Sequence, residues 1–109
     1  MSTSTITSIR TFKATPNQLF QAFTNPTILA KWWGPKGFTN TFHEYDLRPG
    51  GQWNFTMHGP TGGNFENRCI FIHIEENKQL VWHHLPHPEF YIVVSFEAVE
   101  DGTFLSFNM

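Results

Sequence analysis

Trp32 and Trp33 stand side by side and are followed at once by Gly34-Pro35. No other stretch restricts the fold as much. Each tryptophan can bury about 150–250 Å², so leaving both in water is costly. The glycine-proline pair stops whatever helix carries them. Upstream the chain reads as helix, and downstream it reads almost wholly as strand. The tryptophans therefore mark the junction of two halves, and at least one is expected to anchor short helices on a sheet.

The helical half has agreeing signals. Thr15 is placed to cap a helix, Pro16 suits the first helical position, and Gln18 completes a capping box. Leu19, Phe20, Ala22 and Phe23 supply an apolar stripe. Asn25-Pro26 repeats the cap-plus-proline signal, so a second short helix starts there. Ile28, Leu29, Trp32 and Trp33 recur at spacings of three and four, which predicts one broad buried face. Before these helices, residues 3–13 alternate and are rich in β-branched side chains, which predicts a first strand near a sheet edge.

From Phe38 onward strands alternate with turns. Arg48-Pro49-Gly50-Gly51 reads as a turn whose glycines can take positive φ. Trp53, Phe55 and Met57 alternate with polar residues, as in a half-buried strand. Gly59 to Asn64 is a loop; its glycines lack the lysine and following helix of a phosphate-binding loop. In residues 65–75, Ile70, Ile72 and Ile74 share one face, while Cys69, Phe71 and His73 share the other. That predicts a central strand covered, at least in part, on both sides. Glu76-Asn77-Lys78 is a hairpin turn, Leu80 to His84 pairs back, and residues 84–89 are irregular. Phe90, Ile92, Val94, Phe96 and Ala98 form one apolar face of a long strand. Glu100-Asp101-Gly102 turns into a last strand.

Composition narrows the function classes. The 109 residues fit one domain with one core. Twelve Phe and four Trp make much of the apolar content large and flat, which suits a sheet that packs on one face or lines a cavity. The formal charge is −2 with no basic run, which excludes a nucleic-acid footprint. No apolar run approaches the ~18 residues of a membrane span. Cys69 is alone, so no internal disulfide forms, and a cytoplasmic setting is expected.

Candidate chemistry is sparse. His83, His84 and His87 cluster, but adjacent strand residues point to opposite faces, so His83 and His84 do not share a metal ion easily. No cysteine pair or helical His-Glu-x-x-His accompanies them, and no metal or cofactor is expected. Cys69 has no motif supplying a base and reads as a small buried residue. Glu66 and Arg68 read as a surface pair. His58, Arg48 and Tyr91 are the polar groups expected near a cavity mouth. No catalytic residue is named by any of these patterns.

The order of elements, together with particular residues, resembles the activator-of-heat-shock-protein-90-ATPase homologue family, within the START-like (helix-grip, or SRPBCC) superfamily. The matching stretches are Thr15-Pro16, Phe20-x-x-Phe23-Thr24-Asn25-Pro26 and Lys31-Trp32-Trp33-Gly34-Pro35. They continue with Asp46-Leu47-Arg48-Pro49-Gly50-Gly51-x-Trp53-x-Phe55-x-Met57-x-Gly59-Pro60 and Ile74-Glu75. The resemblance implies an α+β fold. Its curved antiparallel sheet has six to seven strands, with two short helices between strands 1 and 2. It also implies a long C-terminal helix closing an apolar cavity, and that helix is missing from this chain. Residues 1–109 are therefore expected to be a single, truncated domain. Its ligand cavity is expected at Trp33, Trp53, Phe55, Met57, Phe71, Trp82, Tyr91 and Phe96. A homodimer covering the exposed sheet face is the alternative cover.

Three function classes follow. The first is a non-enzymatic binding domain for a small apolar ligand. The second is a protein-interaction module acting on a heat-shock ATPase chaperone, as the resemblance implies. The third is a cyclase- or hydratase-like enzyme, which needs a positioned acid or base that the sequence does not name.

Overall fold

Thr15 opens the helical half as its sequence requires. The computed structural model describes residues 7–85 and 89–109. The Thr15 hydroxyl accepts from the Gln18 amide at 3.1 Å, and the Gln18 side chain accepts from the Thr15 amide at 2.9 Å. This reciprocal pair satisfies two donors at the helix start. Pro16 takes the first position, and α1 runs Pro16–Thr24. Asn25 then serves both helices. Its backbone N–H donates to Gln21 O at 2.8 Å, and its side-chain oxygen accepts from the Thr27 and Ile28 amides. The second helix, α2, runs Pro26–Trp32 and ends on Trp33 in extended conformation.

Gly34 turns the chain out of α2 at φ +99°. A side chain there is strained by that φ, and its Cβ would come within 2.7 Å of Met57 Cε. The chain then enters a run of antiparallel strands: β2 (Thr39–Tyr45), β3 (Gln52–His58), β4 (Asn64–Glu75), β5 (Gln79–Leu85), β6 (Phe90–Val99) and β7 (Gly102–Asn108). Each pairs with the next, and β1 (Thr7–Phe12) pairs with β7, giving one sheet in the order β1-β7-β6-β5-β4-β3-β2. The edges are thus β1 and β2. The two helices link those edges by crossing one face of the sheet, here called the inner face.

Alternation decides what that face carries. Trp53 and Phe55 on β3, Phe71 on β4, Leu80 and Trp82 on β5, and Ile92, Val94 and Phe96 on β6 are all buried in one core with Phe20, Phe23 and Leu29. Phe20 and Phe23 meet the Phe96 ring edge-on at 5.8 and 5.6 Å, which seats α1 on β6. The Tyr45 hydroxyl donates to Phe23 O at 2.9 Å and ties β2 to the end of α1.

Two expectations are corrected. Strict alternation along β4 fails at a bulge between Phe71 and His73. Phe71 pairs with Trp82 and Ile74 with Leu80, so Ile74 packs against the core from the inner face, while Ile72 is 46% exposed. The strand is internal, as expected, and its outer face is covered only in part, with Ile70 half-buried and Ile72 exposed. The reason lies next door. The Arg48–Gly51 turn folds onto β4, with Gly50 N donating to Phe71 O at 2.7 Å and Phe71 N to Gly51 O at 2.9 Å. An extra residue in the strand absorbs this local mismatch, as bulges do. The second correction concerns α2: Leu29 is buried and Trp33 turns inward, but Ile28 is 40% and Trp32 43% exposed. The predicted broad buried face is therefore narrower. Residues 3–6 of the predicted first strand and His87 lie outside the described residues.

Candidate functional site

Trp33 is positioned by both halves of the chain. Asn40 on β2 donates through Nδ2 to Ala30 O at 3.2 Å and to Trp33 O at 2.8 Å, fixing the end of α2 over the sheet. The Trp33 ring then lies 5.3 Å from Trp53, 5.8 Å from Trp82 and 6.4 Å from Phe107. Trp32 goes the other way. Its indole N–H donates to Ala22 O at 3.0 Å, and its ring stands edge-on to Phe23 at 4.8 Å.

The two tryptophans border different hollows. Trp33, Phe55, Met57, Trp82 and Ile92 wall a cavity of about 250 Å³ beneath Gly34-Pro35. That exceeds the roughly 150 Å³ of an apolar cavity able to hold benzene. Its polar side chains are Asn67 and His84. His84 Nε2 donates to Asn67 Oδ1 at 2.8 Å, and the imidazole stacks on Phe90 at 4.7 Å. Cys69 also lines this cavity. Burial pushes its thiol up to about 12, so it stays protonated and acts as apolar lining. Trp32 instead borders an open groove of about 580 Å³ between β1 and α1, with Phe12, Leu19, Phe23 and Leu105. Phe107 lines both hollows.

Of the eight residues expected at the cavity, Trp33, Phe55, Met57 and Trp82 come together there. Trp53 and Phe71 are 1% and 2% exposed and form the layer behind, with Trp53 stacked on Phe55 at 4.5 Å. Phe96 lies under α1. Tyr91 is a correction: it pairs with His83, stacks on its ring at 4.2 Å and is 53% exposed on the outer face. Its neighbour Ile92 is the residue that points inward. His58 and Arg48 also miss the mouth. His58 bonds Thr41 and Asn64 across the outer face, and Arg48 pairs with Asp46 at 2.7 Å in the exposed turn. Sequence reasoning missed Asn67, His84 and Phe107.

The outer face is polar and knitted together. His43 Nε2 donates to the Thr56 hydroxyl at 2.7 Å, which donates to Glu66 Oε2 at 2.9 Å. Glu66 thus serves Thr56, whose residue is only 6% exposed, rather than the expected pair with Arg68. His83, 2.8 Å from Glu89, faces out, while His84 faces the cavity, as alternation requires. Among the described residues, no three His, Cys, Asp or Glu side chains are grouped to hold a metal ion. No helix among them is long and apolar enough to cross a membrane.

Residues 13–109 match the family model described as activator of Hsp90 ATPase homolog 1-like protein. The chain belongs to that family. Solved structures agree on the fold of this family member. A crystal structure of a Chromobacterium violaceum protein superposes with a TM-score of 0.91 at 22% identity, covering 97% of this chain and 78% of its own. A Rhodobacter sphaeroides protein gives 0.85 at 28% identity, covering 95% and 70%. The solution structure of an Aha1 dimer from Colwellia psychrerythraea gives 0.76 at 24% identity, covering 97% and 75%. No curated protein sequence matches. The family member is therefore an α+β protein of helix-grip type.

Proposed function

We propose that the protein is a non-enzymatic binding domain for a small, flat, apolar molecule held in the cavity under Trp33. The observation that supports this reading is the cavity's make-up. Aromatic and aliphatic side chains form most of the wall, and one hydrogen-bonded pair, His84–Asn67, supplies a polar corner. Apolar walls with a few placed polar groups are the usual features of small-molecule sites. The volume suits a ligand of one or two fused rings rather than a long chain. Burial holds the Cys69 thiol protonated, so it is not a ready nucleophile there. Native mass spectrometry of the purified protein, followed by titration with indole, tests the reading. A one-to-one adduct that disappears in Met57→Trp, a substitution filling the cavity, is expected. A protein that stays empty and does not bind indole contradicts it.

Self-association is the second reading. A family neighbour is described as a dimer, and Ile9 and Trp32 leave apolar surface exposed beside the groove between β1 and α1. Such patches often mark interaction surfaces. Light scattering across a concentration series is expected to show dimers. A monomer at every concentration retires this reading.

A further inference from the structure

The two edges of the sheet are not equally protected. An edge strand offers unpaired N–H and C=O groups to any other strand, and folds usually blunt it with charge, proline or a bulge. Edge β2 is blunted. A bulge falls between Phe42 and Glu44, and Asn40 and Tyr45 tie the strand to the helices. Edge β1 has no such device. Its six residues, Thr7–Phe12, include no proline, lysine or acid, and they pair with β7 without a register shift. Arg10 is the one charge, and its guanidinium lies 6.0 Å from the Phe12 ring centroid on its own strand. Arg10 stands opposite buried Leu105 and so belongs to the inner face. Ile9 stands opposite Ser106 on the outer face and is 62% exposed.

We propose that β1 is a homodimer edge, pairing antiparallel with β1 of a second copy so that two sheets become one, with Ile9 on the twofold axis. This rests on the self-association reading above and gives it a surface and a register. A twofold axis perpendicular to the sheet keeps like faces together, so two residues stand opposite only if their numbers sum to an even value. Two registers then overlap most of the strand, one centred on Ile9 and one on Arg10. Centring on Arg10 sets guanidinium opposite guanidinium, which is unfavourable. Centring on Ile9 sets Ile9 against its own copy, Thr7 against Thr11, and Arg10 against the small Ser8. Pairs of β-branched side chains suit that arrangement, and no like charges face each other. The occupant is a second copy because the strand is complementary to itself in this register. Short edge strands bury less than the roughly 1,600 Å² of a standard interface, so the dimer is weak and forms at high protein concentration.

The test combines light scattering on the full chain with cysteine cross-linking under copper–phenanthroline. Ile9→Lys is expected to raise the dimer dissociation constant at least tenfold. Its melting temperature at low concentration stays that of the parent, because Ile9 is exposed. In a Cys69→Ala background, Ile9→Cys is expected to form a disulfide-linked dimer. Thr11→Cys is not, since its two copies are displaced by roughly 13 Å along the strand, beyond disulfide reach. A dimer unaffected by Ile9→Lys overturns the edge proposal and leaves self-association standing on another surface. So does cross-linking that is equal at the two positions, or absent from Ile9→Cys in a sample that light scattering shows to be dimeric. A monomer at every concentration overturns the edge and the self-association reading together.

Discussion

Trp32 and Trp33 are neighbours in the chain, yet their rings meet edge to face at 5.7 Å and border different hollows. The division follows from the end of α2. Trp32 is its last helical residue and stays over α1, while Trp33 is extended and drops onto the sheet. The ridge they form with Phe107 separates the cavity from the groove.

The two rings should therefore differ in what they contribute. Trp33→Ala is expected to cost about 3 kcal/mol, at the lower end for large aromatic truncations because the residue is only partly buried. Trp32→Ala loses one hydrogen bond and one edge contact and is expected to cost about 1–2 kcal/mol. Urea denaturation of both variants measures the difference. Equal losses would contradict the assigned geometry.

Adjacent glycines in the Arg48–Gly51 turn differ in the same way. Gly50 has φ +85°, with open space where a Cβ would sit. Gly51 has no positive φ, but its Cβ would run into the Asp46 carbonyl oxygen. Gly50→Ala is expected to cost about 1–2 kcal/mol from the left-handed backbone alone. Gly51→Ala should cost more and displace the turn from Phe71, which hydrogen exchange at the Phe71 amide would report.

Stability should fall on the alkaline side. Burial raises Cys69 from 9.0 to about 12 and holds Tyr45 above its ordinary 10.0, so folding favours both neutral forms. Their stabilisation is complete below pH 9. It is lost as pH rises from 9.0 toward 12 for Cys69, and above 10.0 for Tyr45. The slope is at most about 1.4 kcal/mol per pH unit for each group. Cys69→Ala is expected to flatten the decline most between pH 9 and 10, where Tyr45 contributes less than the thiol. An unchanged slope in denaturation midpoints would show that the thiol is not buried as described.

Thr15 and Gln18 act as one cap. Each single alanine substitution is expected to cost about 1 kcal/mol, and the double variant less than the sum, because either change breaks the same reciprocal pair. Additive losses in thermal unfolding would argue against the capping box.

Much of the fold was legible because local rules agreed. The Thr15 box, the Asn25-Pro26 restart and the Trp53-Phe55-Met57 alternation each pointed to the element found. The misses arose where a distant strand intervened. Ile74 reaches the core only because a bulge opposite the Gly50-Gly51 turn shifts β4, and nothing local to β4 announces that turn. Tyr91 was avoidable: the apolar run from Phe90 through Ile92 to Phe96 already gives Tyr91 the opposite face. Asn67 and His84 were not avoidable in the same sense. Their pairing depends on β4 and β5 meeting in one register, and polar residues in a mixed strand carry no sign of which partner they will find. Family resemblance supplied the architecture, while the division into cavity and groove emerged only from the packed rings.

The central claim is that the hollow under Trp33 is a ligand site. Two-dimensional NMR of the tryptophan indole N–H signals during an indole titration tests it most directly. Saturable shifts are expected at Trp33 and Trp82, smaller ones at Trp32, and none of these shifts in Met57→Trp. Shifts that are linear and equal at all four tryptophans, or absent throughout, would contradict it.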